Sequence, residues 1–139
     1  MLYNSNSWSP TQAALRKLDA THRRHLRRIL NIKWPNSQIS NKTLYQRCKV
    51  KKLSDRVAEY RWRMLGHVLR SDENTAAHQA LAYAVETNEY PGRRGRPSSN
   101  LFSLLRDDLY DRQLNFNNFY ELNEIRDIAS CRTCWRNLF

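Results

Sequence analysis

The sequence is poor in residues that interrupt helices. Its 139 residues include 3 glycines and 4 prolines. Between them apolar residues recur three and four positions apart, the period of a helix rather than the alternation of a strand. This pattern excludes a fold of many short strands. It predicts an all-α fold, a small helical bundle of about five or six helices with one long basic loop.

Cysteine is scarce, and long apolar runs are missing. The 3 cysteines, Cys48, Cys131 and Cys134, are too few and too unevenly placed for a disulfide framework, so free thiols in a reducing compartment are expected. No apolar run approaches the roughly 18 residues of a membrane span, and the N-terminus lacks a signal-peptide pattern. These absences predict an intracellular protein without a membrane partner.

Acidic residues are outnumbered, and unevenly so. The chain has 13 Asp plus Glu against 24 Lys plus Arg, a formal net charge of +11. Residues 1–70 carry 16 basic and 3 acidic side chains, residues 71–97 carry 3 and 4, and residues 98–139 carry 5 and 6. A basic front and a neutral rear are typical of a protein that docks on a polyanion.

Capping and turn residues divide the chain. We predict a basic helical region over 1–84, a basic loop over 85–97, and a neutral helical hairpin over 98–139 that packs on the first region as one domain. Predicted helices begin at Ser9, Ser40, Ser54 and Asp72, at Ser98 or Ser99, and at Asn117, and end near residues 30, 48, 69, 84, 109 and 135.

The first predicted helix separates an apolar side from a basic side at 100° per residue. The apolar side, expected in the core, comprises Ala14, Leu15, Leu18, His22, Leu26, Ile29 and Leu30. The basic side comprises Arg16, Lys17, Arg23, Arg24, Arg27 and Arg28. Cations this close repel one another unless a polyanion neutralises them, although a plain solvated face is the alternative. The third predicted helix adds Arg56, Arg63 and Arg70, spaced seven apart.

The long loop contains Arg93, Arg94, Gly95, Arg96 and Pro97. Arg-Gly-Arg-Pro is the core of an AT-hook, whose arginines enter a narrow minor groove while glycine allows close backbone approach. A solvated basic loop is the alternative, and base-specific contact is not favoured over it. Both interpretations allow phosphate contact, so the three arginines are candidate nucleic-acid ligands.

Candidate catalytic and metal sites are weak. Cys131 and Cys134 form a C-x-x-C pair, but a zinc site needs a second pair of ligands. The sequence offers only distant histidines for it, so core thiols are favoured. Asp107 and Asp108 point about 100° apart on a helix, which indicates a solvated face rather than a metal pair. We therefore predict no catalytic residue, no metal and no cofactor.

The order of several motifs resembles a known family. The motifs are residues 26–34, 39–44, 53–56 and 61–70, followed by 92–97, 104–109 and the closing Trp135-Arg136. Gly-His-Val-Leu-Arg at 66–70 followed by Gly-Arg-Arg-Gly-Arg-Pro at 92–97 is the most specific combination. Over about residues 13–137 the chain resembles the region after the polymerase domain in non-LTR retrotransposon reverse transcriptases.

The resemblance implies the C-terminal part of an element protein, which helps to hold template RNA or target DNA. The family's Tyr/Phe-x-Asp-Asp polymerase motif and its endonuclease residues are absent from this sequence, so it implies no activity for any residue here. Cys131 and Cys134 depart from the polar or small residues expected there. Residues 98–100, Ser-Ser-Asn, lack the basic and Trp residues that often follow the hook, which weakens the hook itself.

The functional prediction is a nucleic-acid-binding module that is not an enzyme. Its expected partners are RNA or DNA and, secondarily, a reverse transcriptase polymerase domain, with no small-molecule substrate and a nuclear location. The alternatives are a protein-interaction domain that docks a polymerase or another partner, and a non-functional retrotransposon remnant.

Overall fold

A computed structural model describes residues 2–33, 39–87, 100–114 and 118–139. Within these ranges the regular secondary structure is entirely helical, so the predicted all-α class is confirmed. A short 3₁₀ helix at Ser5–Ser7 precedes seven α-helices: α1 (Gln12–Ile29), α2 (Asn41–Cys48), α3 (Leu53–Leu69), α4 (Ala76–Glu86), α5 (Leu101–Tyr110), α6 (Phe119–Ser130) and α7 (Arg132–Asn137).

Hydroxyl and amide side chains cap most helix starts. Ser40 accepts from the backbone N–H of Thr43 at 3.1 Å, as predicted for α2. The cap of α1 is Thr11, which accepts from Ala14, so the prediction of Ser9 was wrong by two residues. Asn100 and Asn118 cap α5 and α6. The caps predicted at Ser98, Ser99 and Asn117 lie outside the described residues.

Three helices end in a left-handed residue that is not glycine. Asn31, Lys49 and Gln113 have φ values of 53°, 51° and 61°. After α1 the N–H of Asn31 donates to the Arg28 carbonyl and that of Ile32 to the Arg27 carbonyl, the two bonds of a Schellman motif. The chain thus ends these helices without the glycines from which a helix end is usually predicted.

The chain divides into two compact units. Unit 1 comprises Met1–Ser9 and Glu59–Phe139, and unit 2 comprises Pro10–Ala58, so the division falls within α3. The predicted grouping into 1–84, 85–97 and 98–139 as one domain stays a prediction.

The core of unit 1 is built around two tryptophans. Trp62 and Trp135 are each 2% exposed, and their rings stack with centroids 4.0 Å apart. Each indole N–H donates to the other residue's backbone carbonyl, at 2.9 and 3.1 Å. The other buried residues of this core are Leu65, Leu69, Leu81, Val85, Leu105, Leu109, Leu122, Ile125 and Ala129. Both indoles thereby satisfy their donors inside an apolar core.

Gly66 makes the approach to this tryptophan pair possible. A Cβ atom at residue 66 would lie 2.3 Å from Nε1 and 2.7 Å from Cδ1 of Trp135. Glycine normally costs about 1 kcal/mol in a helix interior. The close passage of the Trp135 ring over the α3 backbone offsets that cost, because any side chain here would displace the ring.

The core of unit 2 is smaller. Among its described residues Leu44, Leu53 and Val57 are the buried apolar ones, whereas the residues of the predicted apolar side of α1 are at best half-buried. Ala14 is exposed and Ile29 is 78% exposed, so their placement in the core was wrong. In the described part of unit 2, the eight residues of α2 and the first turns of α3 are too short to cover an 18-residue helix.

Asp19 links α1 to the start of α3 within unit 2. Its carboxylate is 8% exposed and accepts from the backbone N–H of Ser54 at 3.0 Å and from the Ser54 hydroxyl at 2.7 Å. Ser54 was predicted to cap this helix, but it lies inside the first turn. The carboxylate from α1 satisfies the free N–H group instead, a favourable place for a negative charge.

The last predicted helix is two helices. The backbone of Cys131 is extended, and its sulfur accepts from the N–H of Cys134 at the start of α7. Cys131 and Cys134 are exposed and form a disulfide, so the prediction of free core thiols was wrong for this pair. The break at Cys131 brings the two Cα atoms to 5.3 Å, within disulfide range. Cys48 is a half-buried free thiol.

Candidate functional site

The α1 basic face, defined as Arg16, Lys17, Arg23, Arg24, Arg27 and Arg28, lies in unit 2. Arg16, Lys17, Arg24 and Arg28 are exposed, while Arg23 and Arg27 are half-buried. The face therefore has an outer row of four cations that meets solvent and an inner pair that is partly covered by the unit.

No acidic side chain of α1 neutralises this face. Asp19 is the single carboxylate in the 18 residues of the helix, and both its oxygens accept hydrogen bonds from Ser54. Carboxylates three or four residues from a cation stabilise a charged helix surface. Asp19 has this spacing from Arg16, but Lys17, Arg24 and Arg28 have no carboxylate three or four positions away on α1. The positive potential of the four exposed cations is directed to solvent.

Arg27 is held in place at the end of the face. Its Nη2 donates to Oδ1 of Asn41 at 2.8 Å and to the carbonyl of Ile39 at 3.4 Å. Beside it is a surface depression of about 420 Å³, lined by Arg24, Arg27, Arg28, Asn31, Ile32 and Lys33. Sequence analysis did not single out Lys33, because it follows the helix end, where the Schellman turn brings it back beside the last arginines.

Two rings pack behind this face. The rings of His22 and Tyr45 have centroids 5.7 Å apart. Burial lowers the pKa of His22, and the charges of Arg56, His25 and Arg23 lower it further against the opposing effect of Asp19. Burial also raises the pKa of the Tyr45 hydroxyl. Both groups are therefore favoured in their neutral forms, which avoids adding charge behind the arginines.

We expect His22 to make stability depend on pH. Its pKa is lower in the folded protein than in the unfolded chain, where it is about 6.5. The unfolded chain therefore binds more protons, and the stabilisation from neutral His22 is complete above about pH 6.5 and decreases as the pH falls. Urea unfolding between pH 7.5 and pH 5 should show a steeper loss for the wild type than for His22→Gln. Parallel profiles would contradict this.

The predicted row of Arg56, Arg63 and Arg70 divides between the units. Arg56 is exposed in unit 2. In unit 1, Arg63 pairs with Glu59 one turn earlier at 2.5 Å, and Arg70 donates to the carbonyl of Ala129 at 2.9 Å.

Arg63 and Arg70 line a cleft in unit 1 that sequence analysis missed. We define the arginine cleft as Arg63, Arg70, Arg132 and Arg136 around Trp135, enclosing about 350 Å³. Burial lowers the pKa of Arg70, and the charges of Arg132 and Arg136 lower it further. The two arginines of α3 are seven positions apart and the two of α7 are four apart, so the sequence places each pair on one side of its helix. Only the packing of α7 brings the two pairs together.

A partly buried ion pair replaces the solvated face predicted for Asp108. Nε of Arg61 donates to Oδ2 of Asp108 at 2.6 Å, and Arg61 is 5% exposed. Asp107 is exposed, as expected. The prediction was wrong for Asp108, because α5 turns that side toward α3.

No family model, curated protein or solved structure matches the chain. Across the part of the chain that the structure describes, no group of three or more His, Cys, Asp or Glu side chains is placed to hold a metal ion. No helix there is long and apolar enough to cross a membrane. The candidate loop ligands Arg93, Arg94 and Arg96 lie outside the described residues.

Proposed function

We propose that the chain binds the phosphate backbone of RNA or DNA through the α1 basic face, as a module like the C-terminal region of a non-LTR retrotransposon reverse transcriptase. It carries out no catalytic step of its own. The observation that supports this most strongly is the outer row of Arg16, Lys17, Arg24 and Arg28, which is exposed on a helix whose one carboxylate is engaged elsewhere.

The dimensions of α1 suit a nucleic-acid backbone. Its 18 residues make a rod about 27 Å long at 1.5 Å per residue. A duplex carries one charge per about 1.7 Å of axis with both strands counted, so a duplex segment as long as the helix carries about 16 phosphate charges, some of which face it. Guanidinium groups bind phosphate oxygens with two N–H groups at once, and release of counterions provides the driving force. Such contacts position a protein on a duplex or structured RNA without reading its sequence.

The test of this proposal is the removal of two outer cations. In fluorescence anisotropy with a labelled RNA or DNA duplex at about 0.1 M salt, we expect Arg24→Gln/Arg28→Gln to weaken binding at least about tenfold, because each lost phosphate contact removes nearly one released counterion. The charge removal should not unfold the protein, since both side chains are exposed.

The matched control is Arg47→Gln/Lys49→Asn, which removes two exposed charges in the same unit. Both residues lie at the C-terminal end of α2. Asparagine tolerates the left-handed backbone of residue 49. This variant should lose no more than about threefold in affinity through the general charge effect alone. Equal losses in both variants would show that net charge, rather than the α1 basic face, determines binding.

One observation favours the second candidate function, a protein-interaction domain. Ile29 is 78% exposed on α1. If α1 docks a polymerase domain, Ile29→Ser should abolish binding to a purified reverse transcriptase polymerase domain, whereas Arg24→Gln/Arg28→Gln should leave it intact. Loss of nucleic-acid affinity in the arginine variant together with no effect of Ile29→Ser on protein binding would favour the first function.

A further inference from the structure

The arginine cleft in unit 1 contains a concentration of charge that the α1 basic face does not explain. Four arginines, Arg63, Arg70, Arg132 and Arg136, line a volume of about 350 Å³, and no acidic residue is among the described residues that line it. Within the described residues, Arg63 is the one member that forms an ion pair, with Glu59 on its own helix. The cleft therefore holds an excess of positive charge at short range.

The cleft is also built rather than accidental. Trp135 also lines the cleft; it is 2% exposed and is fixed by ring stacking and by two hydrogen bonds with Trp62. Arg70 is anchored by donation from Nη1 to the carbonyl of Ala129. That bond uses one of five N–H donors, so the rest of the guanidinium can meet a ligand.

We infer that the arginine cleft is a binding site for a phosphate group with two negative charges, such as a phosphomonoester or pyrophosphate. A carboxylate carries one charge and two oxygens, whereas a phosphate dianion presents three oxygens to several guanidinium groups at once. The indole of Trp135 offers no free donor, because its N–H is bound to the Trp62 carbonyl. Recognition thus rests on the arginines.

This inference does not depend on the proposed function, since the site belongs to unit 1 and shares no residue with the α1 basic face. The source of the phosphate is tested separately from the site. A terminal phosphate of a nucleic acid would place the end of a strand in the cleft, whereas a free anion such as pyrophosphate would bind without any strand.

The experiment is isothermal titration of the full chain with inorganic pyrophosphate in a buffer free of phosphate and sulfate. We expect one site per chain. Arg132→Gln/Arg136→Gln should weaken pyrophosphate binding at least tenfold. Arg63→Gln is a second variant that is less liable to affect folding, because its side chain is exposed, and it should weaken binding severalfold. Arg47→Gln/Lys49→Asn in unit 2, outside both proposed binding surfaces, is the matched control with the same charge loss and should bind pyrophosphate like the wild type.

A second arm compares one short oligonucleotide with a 5′-phosphate and with a 5′-hydroxyl. A preference for the phosphate that is lost in Arg132→Gln/Arg136→Gln but kept in Arg47→Gln/Lys49→Asn would identify a strand end as the source. Equal binding of both oligonucleotides with intact pyrophosphate binding would identify a free anion. Absence of pyrophosphate binding up to millimolar concentration, or equal weakening in the cleft and control variants, would overturn the inference even if backbone binding by α1 stands.

Discussion

Replacing Gly66 by alanine is expected to lower the free energy of unfolding by about 2–3 kcal/mol, because inserting a methyl group into a fully packed site displaces its neighbours. In an ordinary helix the same change stabilises by about 1 kcal/mol. The sign is reversed here because the new Cβ would lie 2.3 Å from Nε1 of Trp135. Moving that ring would also break the stack with Trp62 and the hydrogen bond to its carbonyl.

A double-mutant cycle assigns this cost to the tryptophan. Trp135→Leu alone should cost roughly 3 kcal/mol, since it removes the larger part of a buried indole. Gly66→Ala introduced into Trp135→Leu should then be neutral or stabilising, because the clashing ring is gone. Urea unfolding followed by circular dichroism measures all four corners. Additive losses would show that the two residues do not interact and would contradict the packing described for unit 1.

Removing the carboxylate of Asp108 is the second change with a large expected effect. Asp108→Ala leaves the guanidinium of Arg61, which is 5% exposed, without its anion. An uncompensated buried charge destabilises a protein by about 3–5 kcal/mol. The control is Asp107→Ala at the exposed neighbouring position, which should change stability by less than about 0.5 kcal/mol.

The paired replacement Arg61→Met/Asp108→Leu separates the cost of the unpaired charge from the cost of lost side-chain volume. It removes both charges and keeps apolar volume, so it should cost much less than Asp108→Ala alone. Chemical unfolding of the three variants provides the comparison. If Asp107→Ala and Asp108→Ala cost the same, the ion pair contributes nothing particular and the solvated face predicted from sequence would be the better description.

Local signals predicted what depends on local chemistry. Ser40 as the cap of α2 follows from a hydroxyl placed to accept a neighbouring N–H, and the all-helical class follows from apolar spacing. The end of α1 was also predicted within a residue, although the Schellman turn there uses Asn31 rather than glycine. Such features need only the residues on either side of them.

Features that depend on tertiary partners were not predictable in this way. Asp19 lies 35 positions before Ser54, and Arg61 lies 47 before Asp108, so neither pair leaves a periodic signal. Ile29 has the spacing of a core residue and is nevertheless exposed, because unit 2 is too small to cover all of α1. Periodicity identifies the side a helix can bury, and the number of partners decides how much of it is buried.

The same contrast between local and tertiary features applies to the two candidate binding surfaces. The α1 basic face follows from helical geometry and one sequence segment, so all six of its residues could be named in advance. The arginine cleft joins α3 to α7 across more than sixty positions, and the helix break at Cys131 sets the orientation of Arg132 and Arg136. Neither arginine could be placed beside Arg70 from spacing alone.

The most direct test of backbone binding by the α1 basic face is the salt dependence of duplex affinity, measured by anisotropy between about 50 and 200 mM salt. Four exposed cations predict a log–log slope of about −3.6 for the wild type on duplex DNA, at about −0.9 per phosphate neutralised. In Arg24→Gln/Arg28→Gln the slope should become shallower by about 1.8. Submicromolar binding that is independent of salt, or an unchanged slope in that variant, would contradict the account.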